Sequence, residues 1–257
     1  MSMKVSLILT TYNRPDELES TMSSIQIQDY SNIEVIIKDG ANNKDILDRI
    51  KRYAACFKYP VIYKTEKDNG IYNALNKGIE MSTGDIIAIC NDVLTVPNAI
   101  SMIVEAIERD GSDGVHSDLV YATDDKVVRY WHMGQGSIRQ GWMPGHPTLY
   151  LKRKVYEEYG LYDTKYKVSA DFEFMIRILK DNKVHLSYIP KILVRMFYGG
   201  TSTNSREAYY LSIMESYRAL RQNNIPFAWL LIFKRTLKVV NQFKKAENIK
   251  LEDISRL

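Results

Sequence analysis

Cysteine is scarce in this chain: Cys56 and Cys90 are the only two among 257 residues. Their separation fits no disulfide framework, and Cys90 falls in an apolar run where a thiol packs as a small hydrophobe. A reducing, cytosolic setting is expected. Charge of one sign is equally thin. The 35 Lys and Arg stand against 31 Asp and Glu, and a net +4 gives no basic footprint for nucleic acid. Long hydrophobic runs are missing too. The first, Val5 to Leu9, is too short for a signal peptide, and the longest late one, Ile225 to Phe233, is too short to cross a bilayer and contains Pro226. There is no internal repeat and no low-complexity segment. What remains, 45% hydrophobic residues, is enough for one large domain or two coupled halves.

What is present is alternation of strand and helix from residue 4 to about 95. The pattern predicts a strand to Thr10, a helix from Asp16 to Gln28, a strand at Glu34 to Lys38 and a helix at Lys44 to Ala55. It continues with a strand at Val61 to Tyr63, a helix at Ile71 to Met81 and a strand at Asp85 to Cys90. That order implies an α/β fold with a mostly parallel, right-handed wound sheet. Beyond it, Pro97 and Asn98 open a helix to Glu108, and strands follow at Val115 to Ala122 and Val127 to Trp131. Residues Met133 to Pro144 show no periodicity and read as a mobile loop. A strand at Thr148 to Leu151, helices at Arg153 to Tyr159 and Ala170 to Leu179, and a strand at Val184 to Ile189 complete this part.

The tail, 205–257, reads as two helices. Leu211, Met214, Tyr217 and Leu220 mark one face of the first. In the second, Trp229, Phe233, Leu237, Val240 and Phe243 share a face while Lys234, Lys238 and Lys245 fall opposite. Such a basic amphipathic helix suits an anionic membrane surface, or packs on the main domain with its lysines in water.

Three apolar strands end in polar loops: Thr10-Thr11-Tyr12-Asn13-Arg14-Pro15, Lys38-Asp39-Gly40 and Asn91-Asp92. In open α/β sheets these strand ends border the ligand crevice, so Asp92 is placed to meet a metal or a phosphate. Asp68 and Gly70 precede the helix carrying Asn73, Asn76 and Lys77, whose first amides suit a phosphate. Each also has a plainer reading. Asp39-Gly40 is a common turn, Asp68 a helix cap, and Lys77 a solvated charge. Asp171 and Glu173 begin a helix, where acidic residues are favoured in any case. His146 lies in a Pro-Gly-His-Pro turn with no second histidine spaced to share a metal.

Taken together in order, Thr10 to Arg14, Asp39-Gly40, Asp68 to Tyr72 with Asn76-Lys77-Gly78, Asn91-Asp92, His146-Pro147-Thr148 and Ala170 to Glu173 resemble the family 2 glycosyltransferases. These are inverting GT-A fold enzymes, and the likeness is greatest to bacterial members that assemble surface polysaccharide. It covers about 4–204. The resemblance implies a Rossmann-like nucleotide-sugar half over 1–95, an acceptor half over 96–204 and a helical tail. It places Thr11, Tyr12, Asn13, Arg14 and Asp39 at the base and ribose of a donor, expected to be UDP-linked. Asp68, Gly70, Asn73, Asn76, Lys77 and Asn91 fall near its diphosphate, and Asp92 at a divalent Mn or Mg. Asp171 becomes the general base, with Glu173 the alternative, and His146 falls beside the acceptor. Tyr198-Gly199-Gly200-Thr201-Ser202 matches a loop that closes over the donor.

The implied acceptor is a glycan, a polyprenyl-linked oligosaccharide above all, met at the inner face of the cytoplasmic membrane; the oligomeric state is left open. The acidic motif departs from the family pattern, because Asn91-Asp92-Val93 carries one carboxylate where two are usual, and Asn73 stands where Asp is common. A non-catalytic nucleotide-sugar binder is therefore an alternative. A sugar-phosphate nucleotidylyltransferase is the other, although Thr10 to Pro15 contains none of the glycines of its phosphate loop.

Overall fold

The computed structural model describes residues 2–41, 43–198, 206–247 and 249–256. Its first part is a run of βα units: β1 (Val5–Thr11), α1 (Pro15–Gln26), β2 (Ile33–Asp39), α2 (Lys44–Cys56), β3 (Val61–Thr65), α3 (Ile71–Met81) and β4 (Ile86–Ile89). All four strands are parallel, with Val5 opposite both Ile33 and Ile86. Continuous apolar sequence is what such strands need, since helices cover both of their faces. Alternate residues supply the two cores. Leu7, Leu9, Val35 and Ile37 meet Met22, Ile25 and Ile46 on one side, while Ile8, Ile36, Ile87 and Ile89 meet Leu75 and Ile79 on the other.

The sheet then continues through β5 (Val93–Leu94), β6 (Gly114–Ala122), β8 (Tyr150–Lys152) and β9 (Leu186–Phe197), with α4 (Ala99–Asp110), α5 (Arg153–Tyr159) and α6 (Ala170–Leu179) between them. Strand order is β3-β2-β1-β4-β8-β6-β9-β5, and β7 (Val127–Trp131) forms a hairpin with β6. β8 runs antiparallel to its neighbours, so the parallel part is followed by a mixed part. The order of addition reverses at β1: the chain steps out to β2 and β3 on one side and then returns to place β4 on the other. That reversal opens the crevice at the carboxyl ends of β1 and β4.

Several elements differ from the sequence expectation. β9 is twice the expected strand and passes through Pro190. Pro190 has no N–H to give to the ladder, and the register jumps from Ser117 opposite Ile189 to Asp118 opposite Ile192. Residues 133–144 are anchored at a few points. Met133 and Ile138 are buried, Trp142 Nε1 donates to the Met133 carbonyl at 2.9 Å, and a 3-10 turn spans Ile138–Gln140. Isolated apolar anchors hold this segment, which is why no periodicity announces it.

The tail helices are α7 (Arg206–Gln222) and α8 (Ala228–Ala246). The buried face of α7 carries Glu215, Ser216, Ala219 and Leu220, while Met214 is exposed. In α8 the inward residues are Ala228, Leu231 and Ala246, and the apolar stripe faces out. Trp229 is 54% exposed, Phe233 61%, Leu237 53% and Phe243 38%. Lys238 turns back onto the domain, its Nζ donating to the Gly141 carbonyl at 3.2 Å.

Glu34 gives the frame a pH dependence. Its carboxylate is 1% exposed and accepts Ser6 Oγ at 2.6 Å, the Thr83 amide at 2.6 Å and Thr83 Oγ1 at 2.8 Å, with Lys4 Nζ at 2.5 Å. Burial alone would raise its pKa; these donors outweigh burial and hold it down from 4.5 to about 2. The stabilisation is therefore complete above the unfolded value of 4.5 and is lost as pH falls toward about 2. Glu34→Ala should lower the unfolding free energy by about 2–4 kcal/mol at pH 7 in urea titrations, with the difference shrinking below pH 4.5. A difference independent of pH would contradict the charge-based origin.

Candidate active site

A cavity of about 2080 Å³ opens at the carboxyl ends of β1 and β4, with β7 and α8 forming its far wall. Asn91 sets its floor. Its Oδ1 accepts the Thr10 amide at 2.7 Å while its Nδ2 donates to Thr10 Oγ1 at 2.9 Å, pinning the ends of β1 and β4 together. Asp92, the next residue, lines the cavity. Burial, and then the nearby Glu17 carboxylate, push the Asp92 carboxyl up to about 7. Thr11, Tyr12 and Arg14 line the same wall, Arg14 paired with Glu17 at 2.7 Å.

Asp68 and Gly70 form another edge. Asp68 is held by Lys38 Nζ and Lys77 Nζ, each at 2.8 Å, so β2 and α3 together fix one carboxylate. Gly40 lets the Asp68 loop approach: a Cβ there would lie 3.2 Å from Asp68 Oδ2. Gly70 sits at φ +95, a conformation that favours glycine, immediately before α3.

Six of the residues expected at the site do not line the cavity. Asn13 accepts from Asn43 Nδ2 at 3.3 Å, and Asp39 Oδ1 accepts the Ala41 amide at 3.1 Å inside the turn. Asn73 accepts the Asn69 amide at 3.3 Å. Asn76 clasps the backbone of Tyr162, donating to its carbonyl at 2.9 Å and accepting its amide at 3.0 Å. Lys77 is shared between Asp68 and Glu66. Glu173 takes Arg177 Nη2 at 2.9 Å and Asn223 Nδ2 at 3.2 Å, which commits it to the packing of α6. Gly199, Gly200, Thr201 and Ser202 lie outside the described residues.

Asp171 faces the cavity from the first turn of α6. Tyr72 donates its hydroxyl to Asp171 Oδ1 at 2.9 Å, and burial followed by the Asp171 charge drives the phenol pKa up. Tyr72 thus stays protonated and holds the carboxylate in one orientation. The segment before Asp171 is anchored from the tail. Glu215 accepts the amides of Lys167, Val168 and Ser169 at 2.8, 2.9 and 3.0 Å. Glu215→Ala should orphan these three donors, lower stability by about 2–4 kcal/mol and cut turnover by displacing Asp171. A variant with wild-type turnover and urea midpoint would show that Glu215 has neither role. His146 Nε2 lies 2.7 Å from the Tyr162 hydroxyl, and burial lowers the imidazole pKa, favouring the neutral ring.

Asp92 lies beside the pinned end of β4, and its neighbour Glu17 is taken up by Arg14. Among the described residues no three His, Cys, Asp or Glu side chains converge on a point, and the Asn91 amide is already committed to Thr10. Mg and Mn are commonly bound through one carboxylate plus substrate phosphates, and the residues present fit that arrangement.

Residues 6–177, more than half of the chain, match the family described as Glycosyl transferase family 2. The chain belongs to glycosyltransferase family 2. Among the relatives of this glycosyltransferase is the PGL/p-HBAD biosynthesis glycosyltransferase of Mycobacterium tuberculosis, 23% identical over 211 residues, which span 80% of this chain and 82% of the relative. Solved structures share its fold. Residues 1–349 of S. aureus TarS in complex with UDP align at a TM-score of 0.68 and 15% identity, covering 98% of this chain and 77% of that one. The mannosyltransferase PcManGT from Pyrobaculum calidifontis, in complex with GDP-Man and Mn2+, aligns at 0.64 and 18% identity over 96% and 74% of the two chains. The glycosyltransferase has a GT-A-like fold in the company of these enzymes.

Sequence reasoning passed over four residues that line this glycosyltransferase's cavity: Tyr72, Tyr121, Arg129 and Arg235. Tyr72 was visible only as part of a motif, and its partner Asp171 is far along the chain. Arg129 and Trp131 alternate on β7, a weak sign that they share a face. Arg235 was masked by the apolar stripe and lysines around it.

Proposed function

We propose that the protein is an inverting glycosyltransferase that moves one sugar from a nucleotide donor, UDP-linked, to a hydroxyl of a glycan acceptor carried on a lipid. The observation that supports it most is the meeting in one cavity, at the β1/β4 switch point, of two carboxylates, Asp92 and Asp171, that have no ion-pair partner among the described residues. Asp171 is assigned the base. Its carboxylate takes the acceptor hydroxyl proton as that oxygen bonds to the anomeric carbon, and the bond to the nucleoside diphosphate breaks on the opposite face. Tyr72 fixes the oxygen that does not take the proton. Thr11, Tyr12 and Arg14 are assigned to the nucleoside end, and Gly70 with the amides of α3 to the phosphates. A divalent Mn or Mg, held by Asp92 and the donor phosphates, would neutralise charge on the leaving group. His146, neutral and oriented by Tyr162, is assigned to the acceptor. The assigned catalytic unit is 1–204, with 205–257 as its tail.

Two observations bear on the lipid. The outward stripe of α8 is apolar, and no helix among the described residues is long and apolar enough to cross a membrane. The stripe is assigned to the membrane surface as a peripheral anchor. Changing Trp229, Phe233 and Leu237 together to Ser should reduce co-sedimentation with anionic liposomes by more than about tenfold while sparing transfer to a soluble acceptor analogue. Equal sedimentation of both proteins would assign the stripe to something other than lipid.

Thermal stabilisation across UDP-, GDP- and TDP-sugars, with and without Mn, tests the donor assignment, because a ligand of the folded state raises apparent stability. UDP-sugars should give the largest shift. A larger shift with another nucleotide would overturn the UDP assignment, and binding without any turnover would favour a non-catalytic binder.

A further inference from the structure

Two guanidinium groups face the cavity with no acidic partner. Arg129, on β7, donates its Nε to Gln242 Oε1 of α8 at 2.5 Å and lies 4.5 Å from the centre of the Tyr121 ring and 5.4 Å from that of Trp131. Arg235, on α8, lies 4.5 Å from the centre of the ring of Phe172, the residue after Asp171. Both line the cavity. The third arginine on the cavity wall, Arg14, is instead ion-paired with Glu17. Among the described residues no carboxylate oxygen comes within 4.0 Å of Arg129 or Arg235.

The cavity's acids do not fill this gap. Glu17 is occupied by Arg14, and Asp68 by Lys38 and Lys77. Asp171 is close enough to be felt by Arg235, yet its hydrogen-bond partner is Tyr72. Arg129 is half-buried and Arg235 exposed, and the Arg129 charge disfavours that of Arg235. Two like charges on one wall, braced by aromatic rings and an amide, repel each other at a cost that a bound anion offsets. The planar fork of arginine suits phosphate oxygens, and two forks suit a group with charge on both of its phosphates.

We propose that Arg129 and Arg235 form a binding site for a diphosphate, built by β7 and the tail helix on the wall beside Asp171. The assignment of a natural ligand rests on the sugar-transfer reading, in which a diphosphate has two sources. One is the nucleotide donor, whose leaving group would then be neutralised by guanidinium as well as by a divalent ion that Asp92 would hold. The other is a lipid diphosphate bearing the acceptor sugar, whose chain would leave along the outward stripe of α8. Either way the tail completes the transfer site.

The test uses the full chain in EDTA, with calorimetric titration of inorganic pyrophosphate, UDP, uridine and geranyl diphosphate into wild type, Arg129→Gln, Arg235→Gln, the double variant and Arg235→Lys. Thermal unfolding of each variant confirms the fold. Pyrophosphate affinity should fall about tenfold or more in each Gln variant and further in the double variant, with partial recovery in Arg235→Lys. Weakened UDP binding with uridine unchanged assigns the donor; weakened geranyl diphosphate with UDP unchanged assigns the acceptor. Wild-type affinity of the double variant for all three phosphate probes overturns the site. Turnover of UDP-sugar by wild type is followed in parallel. If turnover is present while the affinities are unchanged, the anion site alone fails; if turnover is absent while pyrophosphate binding depends on both arginines, the transfer reading alone fails.

Discussion

Asp171→Asn is expected to fold normally, to bind nucleotide sugar as wild type does, and to transfer sugar at no more than about a hundredth of the wild-type rate. The substitution keeps the shape of the side chain and removes its proton affinity, and loss of a general base lowers rates by about 10²–10⁴-fold. The plainer role of an acidic residue in the first turn of α6, a favourable charge at a helix start, contributes only about 0.3–1 kcal/mol to stability and nothing to the chemistry. The two roles are therefore separable by comparing turnover with the unfolding midpoint. Glu173 offers no substitute, since Arg177 and Asn223 occupy its oxygens. Glu173→Gln should cost stability while leaving Asp171 to act. Near-normal transfer by Asp171→Asn would remove Asp171 from the mechanism.

Asp92→Ala carries the second large effect. Asp92 lies at the pinned end of β4, and in the proposed reading its loss would take away the acidic group that would hold a metal beside the donor phosphates. Charge stabilisation of that kind is worth several kcal/mol, so a loss of about 3 kcal/mol corresponds to about a hundredfold slower transfer. The added thermal stabilisation that Mn gives to donor binding should vanish as well, while stabilisation by donor alone persists. Mn-stimulated transfer and Mn-dependent stabilisation both unchanged in the variant would exclude Asp92 as a ligand.

The frame and the site were not equally legible. β1, β2 and β4 were plain because strands covered on both faces are nearly continuous runs of Val, Ile and Leu, and helix Ile71–Met81 matched its expected limits. Pro190 hid the length of β9, since only the bulge opposite Asp118 shows how a strand survives it. Local sequence placed Asp92 and Asp171 at element ends, where backbone geometry carries them into the crevice. It placed Asn76 and Lys77 there too; α3 turns Asn76 toward Tyr162, and Lys77 meets the cavity edge through Asp68 while also pairing with Glu66. Helical periodicity fixes a shared face without saying which way the face points. The stripe of α8 therefore came out correctly grouped and facing out, with Arg235 delivered to the cavity by the side that periodicity left unremarked. The same limit governs the loop at 133–144, whose order comes from Met133, Ile138 and Trp142 meeting partners that no local pattern identifies.

The most direct measurement of the central claim is the configuration of the sugar released when the protein acts on a UDP-α-sugar with water as the acceptor, followed by proton NMR before the anomers equilibrate. Attack opposite the departing diphosphate, with Asp171 as base, predicts that the β anomer appears first and that Asp171→Asn suppresses its appearance by about a hundredfold or more. Release of the α anomer first, or an equal rate in the variant, would contradict the account.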